Sequence, residues 1–173
     1  MDYILTNKKV ILNLPIRYGK THISISSILN GKGSSIFFVD RNMIHTFEKT
    51  LKEDYKCNNI AIYHGKNKDA LKELDSNNES IIISTEETFS KRYLTLSPEE
   101  KKNLKLIRNI AFDEFHSFMK VKNKTFKIFQ GVFKECFSNI DLLILLSASP
   151  TNEKIHNIFK SLNLIDKNFV PSH

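Results

Sequence analysis

Two adjacent carboxylates, Asp113 and Glu114, follow the apolar run Ile110-Ala111-Phe112, and far upstream the tripeptide Gly19-Lys20-Thr21 follows Val10-Ile11-Leu12. An ammonium, a hydroxyl and a pair of carboxyls are the groups that phosphoryl chemistry uses. Gly19 stands where backbone must come closest to phosphate, Lys20 would place its ammonium on the β/γ oxygens, and Thr21 would offer a hydroxyl to Mg²⁺. Asp113 would hold that Mg²⁺ through water, and Glu114 would orient and deprotonate an attacking water. A third cluster, Ser147-Ala148-Ser149-Pro150, follows another apolar run, and the hydroxyls of Ser147 and Ser149 could hydrogen-bond His116. Each cluster has a plainer alternative: a chance tripeptide in a Lys-rich chain, an acidic pair capping the next helix, a Ser-rich turn. The strict phosphate-loop pattern G-x-x-x-x-G-K-[ST] also wants a glycine where Leu14 stands. Such a loop grips phosphate with backbone N–H groups at a helix N-terminus, so Pro15, Ile16, Arg17 and Tyr18 can belong to it with their side chains turned outward.

These groups act together only if the fold brings them to one place. Short apolar runs rich in β-branched residues alternate with longer amphipathic segments, the pattern of βαβ units. Strands are expected at Val10–Leu12, Ile36–Val39, Ile60–Tyr63, Ile81–Ile83, Leu106–Phe112 and Leu142–Leu146. Helices are expected at Thr21–Leu29, Met43–Leu51, Asp69–Leu74, Phe126–Phe137 and Glu153–Leu162, and Ser97-Pro98-Glu99-Glu100 reads as a capping box opening a further, Lys-rich one. The strand candidates are continuously apolar, as in a parallel sheet covered on both faces. The fold class is therefore α/β, a mostly parallel central sheet with helices on both faces, and all three chemical clusters fall at carboxyl ends of strands, where open α/β sheets place their ligands.

With 173 residues, 40% hydrophobic and 26% charged, the chain is expected to form one domain, residues 1–173, with its own core. The formal charge of +7 suits a polyanionic partner, although most of it comes from scattered Lys, with Arg only at positions 17, 41, 92 and 108. Cys57 and Cys136 form no C-x-x-C pair and suggest neither zinc nor disulfide. No apolar run approaches the length of a membrane span and the start lacks the features of a signal peptide, so an intracellular protein without a membrane partner is expected. The abundance of Lys, Ile and Asn fits an AT-rich coding genome such as that of a virus or cytoplasmic element. His22, His45, His64 and His156 lack ligand-like spacing and read as surface or helix residues. Phe126, Phe129, Phe133 and Phe137 recur at helical spacing and read as core facing the sheet, while Lys120, Lys122, Lys124 and Lys127 read as a solvated run.

The chain resembles the superfamily-two helicases and translocases of the D-E-x-H type, whose first domain is a RecA-like ATP-binding fold. "LPIRYGKT" is similar to their motif I, "FFVDRN" to motif Ia, "AFDEFH" to motif II and "LLSASPTNE" to motif III; "YHGK" resembles the turn after the third strand and "IIISTEETF" the nucleic-acid-contacting segment after the fourth. The downstream "PTNEKIHNIFKSLNLIDKNF" resembles the ending of domain one in remodelling and poxviral ATPases. The resemblance implies ATP and Mg²⁺ as cofactors, Lys20 and Thr21 on phosphate and metal, Asp113 on the metal and Glu114 as base. It couples His116 to Ser147 and Ser149, and puts Arg41, Ser84 and Thr85 on the backbone of a bound DNA or RNA strand. It also implies a second RecA-like domain, in cis or as a separate subunit, that supplies arginines to the hydrolysis site; without it, weak nucleotide binding and poor hydrolysis are expected. The rivals are a helicase-like domain kept as a nucleic-acid or protein binding module, and a nucleotide kinase, whose arginine-rich lid is not visible in the sequence.

Overall fold

In the computed structural model, which describes residues 9–13, 19–114, 123–137 and 139–147, the apolar runs form a single six-stranded sheet. Its strands are β1 (Lys9–Asn13), β2 (Ser34–Phe38), β3 (Ile60–Tyr63), β4 (Ile81–Ser84), β5 (Ile107–Phe112) and β6 (Leu142–Ser147). They lie in the order β1-β6-β5-β2-β4-β3, and every pairing is parallel. Parallel neighbours need crossovers, and the helices supply them: α1 (Lys20–Leu29), α2 (Ile44–Glu53), α3 (Glu86–Tyr93), α4 (Pro98–Leu104) and α5 (Asn123–Glu135).

Strands β2 to β6 alternate their side chains between two cores, so both faces demand apolar residues. Phe37, Val39, Ile83, Ala111, Ile144 and Leu146 face one side, where Ile25 and Ile28 of α1 and Phe47 and Leu51 of α2 cover them. Ile36, Phe38, Ile82, Ile110, Phe112 and Leu145 face the other, against Phe89 and Tyr93 of α3, Leu104 of α4 and Phe129, Val132 and Phe133 of α5. Phe38 stacks on Phe112 at 4.6 Å and meets Phe89 and Phe129 edge-on at 5.3 Å, so the second core is held by aromatic contacts as well as by area. The register slips between Ser34 and Ser35, which pair with Ile107 and Asn109. That bulge lets Ile107 and Ile110, an odd number of residues apart, share one core.

Phe129, Phe133 and Phe137 are buried in the second core, as their helical spacing predicts; the side chain of Phe126 lies outside the described set. The capping box at Ser97 forms as read: Ser97 Oγ accepts from the Glu100 amide at 3.2 Å, and Glu100 accepts from the Ser97 amide at 2.8 Å. One expectation is corrected. Asp69–Leu74 makes only a single 3₁₀ turn, Asp69–Leu71, because so short a segment cannot meet the cost of helix nucleation. The segment after β4 is a helix, α3, with Thr85 as N-cap, Glu86 and Glu87 in its first turn and Lys91 and Arg92 in its last, charges that match the helix dipole at both ends. The helix expected at Glu153–Leu162 lies outside the described residues.

Candidate functional site

The loop after β1 enters α1 through Gly19, whose φ of 67° is the left-handed conformation glycine adopts at no steric cost. The first helical residue is Lys20, its side chain only 9% exposed. β5 ends in Phe112, and the Asp113 amide donates to the Phe38 carbonyl at 2.8 Å, which fixes the acidic pair against the centre of the sheet edge. Glu114 then turns with φ at 50°, a left-handed conformation uncommon for a non-glycine residue. The result is direct contact: Lys20 Nζ donates to Glu114 Oε1 at 2.8 Å, across 94 residues of sequence.

Burial raises the Asp113 pKa, the Glu114 carboxylate pushes the same way, and the Lys20 ammonium partly opposes them. A carboxylate crowded by burial and a like charge gains from a cation, and it stands beside the amino end of a helix whose dipole and amides favour an anion. Among the described residues no group of three or more His, Cys, Asp or Glu side chains is arranged to hold a metal by itself. Mg²⁺ is commonly held by one or two carboxylates with the rest of its shell from phosphates and water. Asp113 and Thr21 are the described residues suited to it.

A concavity lies beside these residues, over the carboxyl ends of β2, β3 and β4. It is a cleft of about 550 Å³ lined by Asp40 and Arg41 after β2, His64 and Gly65 after β3, and Thr85 to Thr88, Lys91 and Arg92 of the α3 region. Arg41 is exposed and makes no ion pair or hydrogen bond among the described residues. Arg92 is engaged with the backbone: its guanidinium donates to the carbonyls of Gly65 and Asn67 and lies 4.8 Å from the centre of the Tyr63 ring, fastening the turn after β3 to α3. Lys91 pairs with Glu87 at 2.5 Å.

The concavity and the acidic pair share one edge of the sheet. Asp113, Asp40 and Glu86 follow the neighbouring strands β5, β2 and β4, whose ends are in register at Phe112, Phe38 and Ser84. Burial pushes the Glu86 carboxyl up to about 7, with Asp40 and Asp113 adding to it against its own helix-end amide. Glu86 is not among the residues that the sequence marks for chemistry; its place two residues after a buried strand, level with Asp40, is the signal that could have found it.

Of the residues expected to carry chemistry, Lys20, Asp113 and Glu114 are brought together, with Thr21 next to Lys20 on α1. Ser147 is fully buried at the carboxyl end of β6. Arg41 and Thr85 line the neighbouring cleft. Ser84 is fully buried and donates its hydroxyl to the Tyr63 carbonyl at 2.8 Å, so its side chain is committed inside the sheet. Pro15, Ile16, Arg17, Tyr18, His116 and Ser149 lie outside the described residues.

The family model of the DEAD/DEAH box helicases matches residues 1–158. The chain belongs to that family. Its fold is that of RecA-like helicase domains. The Sulfolobus solfataricus SWI2/SNF2 ATPase core in complex with dsDNA superposes with a TM-score of 0.66 at 16% identity, over 96% of this chain and 34% of that one. The Pyrococcus furiosus Hef helicase domain gives 0.63 at 19% identity, over 94% and 35%, and the UvsW helicase from bacteriophage T4 gives 0.63 at 18% identity, over 94% and 55%. The DEAD/DEAH chain thus spans between about a third and just over half the length of these neighbours. A search of curated protein sequences finds no significant match. No helix among the described residues is long and apolar enough to cross a membrane.

Proposed function

We propose that this chain is the nucleotide-binding motor domain of a DExH-type helicase or translocase, in which ATP hydrolysis is coupled to the hold on a nucleic-acid strand. The observation that carries the reading is the 2.8 Å contact between Lys20 and Glu114. An ammonium and a carboxylate that meet at the head of α1 are the two charges that a triphosphate would separate. Entry of the phosphates at the head of α1 draws Lys20 from Glu114 to the β/γ oxygens and leaves the Glu114 carboxylate to accept a hydrogen bond from water. Asp113 and Thr21 would hold a Mg²⁺ ion, which would supply charge neutralisation for the phosphate oxygens. Glu114 takes the proton of the water as its oxygen bonds to the γ-phosphorus and the bond to the ADP oxygen breaks.

In this reading Mg·ATP lies at the head of α1 and a DNA or RNA backbone in the cleft, with Arg41 on its phosphates, while the Thr85 hydroxyl is committed to Thr88 and the cap of α3. A second RecA-like domain, in the same polypeptide or as a separate subunit, closes over the nucleotide and contributes charge at the transferring phosphoryl group. The rival reading, a helicase-like binding module, has no use for a lysine and an acid pair held together at the head of α1. Coupling separates the two. With a labelled oligonucleotide titrated in the presence and absence of a non-hydrolysable ATP analogue, the wild type changes its oligonucleotide affinity severalfold on nucleotide binding, and Lys20→Ala loses that change. An affinity indifferent to nucleotide in the wild type supports the binding module instead.

A further inference from the structure

His64, which its spacing marks as a surface or helix residue, is half-buried in the wall of the concavity, where its ring meets a chain of hydroxyls. The Thr88 amide donates to Thr85 Oγ1 at 3.1 Å, the helix cap of α3, and Thr85 Oγ1 donates onward to Thr88 Oγ1 at 2.9 Å. Thr88 Oγ1 lies 2.8 Å from His64 Nδ1. A threonine hydroxyl has one proton. With Thr88 accepting from Thr85 and giving its own proton to Nδ1, the neutral ring carries its hydrogen on Nε2, the atom left for a ligand.

On the reading of this cleft as the seat of a nucleic-acid strand, we propose that His64 is a tautomer-locked, uncharged donor whose Nε2–H binds a phosphodiester oxygen of the strand beside the Arg41 contact. The charges around the ring agree. Burial, then Arg41 and Arg92, hold His64 below its ordinary range, with a small push from His45 and an opposing pull from Glu87. Arg92 also fixes His64 in place, because its bonds to the Gly65 and Asn67 carbonyls immobilise the turn that carries the ring.

A neutral donor and a cation leave different signatures in salt. Removing one cationic side chain from a phosphate flattens the dependence of log Kobs on log salt by about 0.7 on a single strand, whereas removing a neutral hydrogen bond lowers affinity without changing the slope. Fluorescence anisotropy with a labelled single-stranded oligonucleotide over a salt series is therefore applied to the wild type, His64→Ala, His64→Gln, Thr88→Val and Arg41→Ala. His64→Ala binds about fivefold more weakly, the usual worth of one such bond, with the wild-type slope. His64→Gln, which keeps a donor, recovers part of the loss. Thr88→Val, which keeps the ring but frees its tautomer, weakens binding less than His64→Ala, and Arg41→Ala flattens the slope. Long-range ¹H–¹⁵N NMR of the free wild-type chain at pH 7 shows the hydrogen on Nε2, a result independent of any ligand and of the folding of the variants. A hydrogen on Nδ1, an unchanged affinity in His64→Ala alongside a weakened Arg41→Ala, or a flattened slope in His64→Ala would each overturn the proposal. If neither His64→Ala nor Arg41→Ala alters binding, the cleft is not the strand's seat and the underlying reading fails with it.

Discussion

At the scale of single residues, the sheet edge gathers acids as well as cations, and the acids have a measurable consequence. Glu86 binds its proton more tightly folded than unfolded, since burial lifts its carboxyl from the ordinary 4.5 to about 7. The stability this confers is full below the unfolded value and is lost as pH rises toward the folded one. Urea midpoints of the nucleotide-free chain should therefore fall from pH 5 to pH 7.5 more steeply in the wild type than in Glu86→Gln, which stays neutral throughout. Parallel pH profiles would show that Glu86 is solvated and ordinary. Asp113 is shifted in the same direction and shapes the remaining slope. That the lysine loop and the acidic pair share one sheet edge was legible in the sequence because each follows an apolar run of clear strand character; their direct contact was not. The roles of His64 and Glu86 were not, because each depends on a neighbour from another strand: the Thr88 hydroxyl for one, Asp40 and Asp113 for the other.

At the scale of elements, all six strands were readable from continuous β-branched and aromatic runs, and α4 from its capping box. α3 escaped because a Ser-Thr-Glu-Glu stretch reads equally as a ligand-contacting loop; its N-cap is recognised only when Thr85 is seen accepting from the Thr88 amide. The turn between α1 and β2 makes a sharper claim. Gly33 sits at φ 88°, and a Cβ there would stand 2.5 Å from Arg108 Cγ. The same turn is pinned by Asn109, fully buried in β5, whose Nδ2 donates to the Lys32 carbonyl at 3.2 Å. Gly33→Ala should therefore destabilise the chain by more than the ~1 kcal/mol that a simple Gly-to-Ala change is worth, read as a lowered urea midpoint. A neutral or stabilised variant would mean that the turn is not held in this conformation.

At the scale of the whole molecule, parallel pairing, two cores and the order of the strands put the loop after β1 and the residues after β5 on one edge, with a cleft over β2, β3 and β4 beside them. The α/β class and the edge are legible from residue patterns alone; the cleft is not, because concavity arises from how α3 leans on the turn after β3 through Arg92. The central claim is that Lys20 and Asp113 serve one magnesium–triphosphate. Calorimetric titration of ATP into the wild type, Lys20→Ala and Asp113→Asn, each with and without Mg²⁺, tests it most directly. Binding to the wild type should strengthen with Mg²⁺, and Lys20→Ala should lose about tenfold or more in affinity, as expected for a charge-assisted contact worth on the order of 1.5–3 kcal/mol. Asp113→Asn should bind ATP with little regard to Mg²⁺. Heats and Mg²⁺ dependence in both variants equal to those of the wild type would contradict the account.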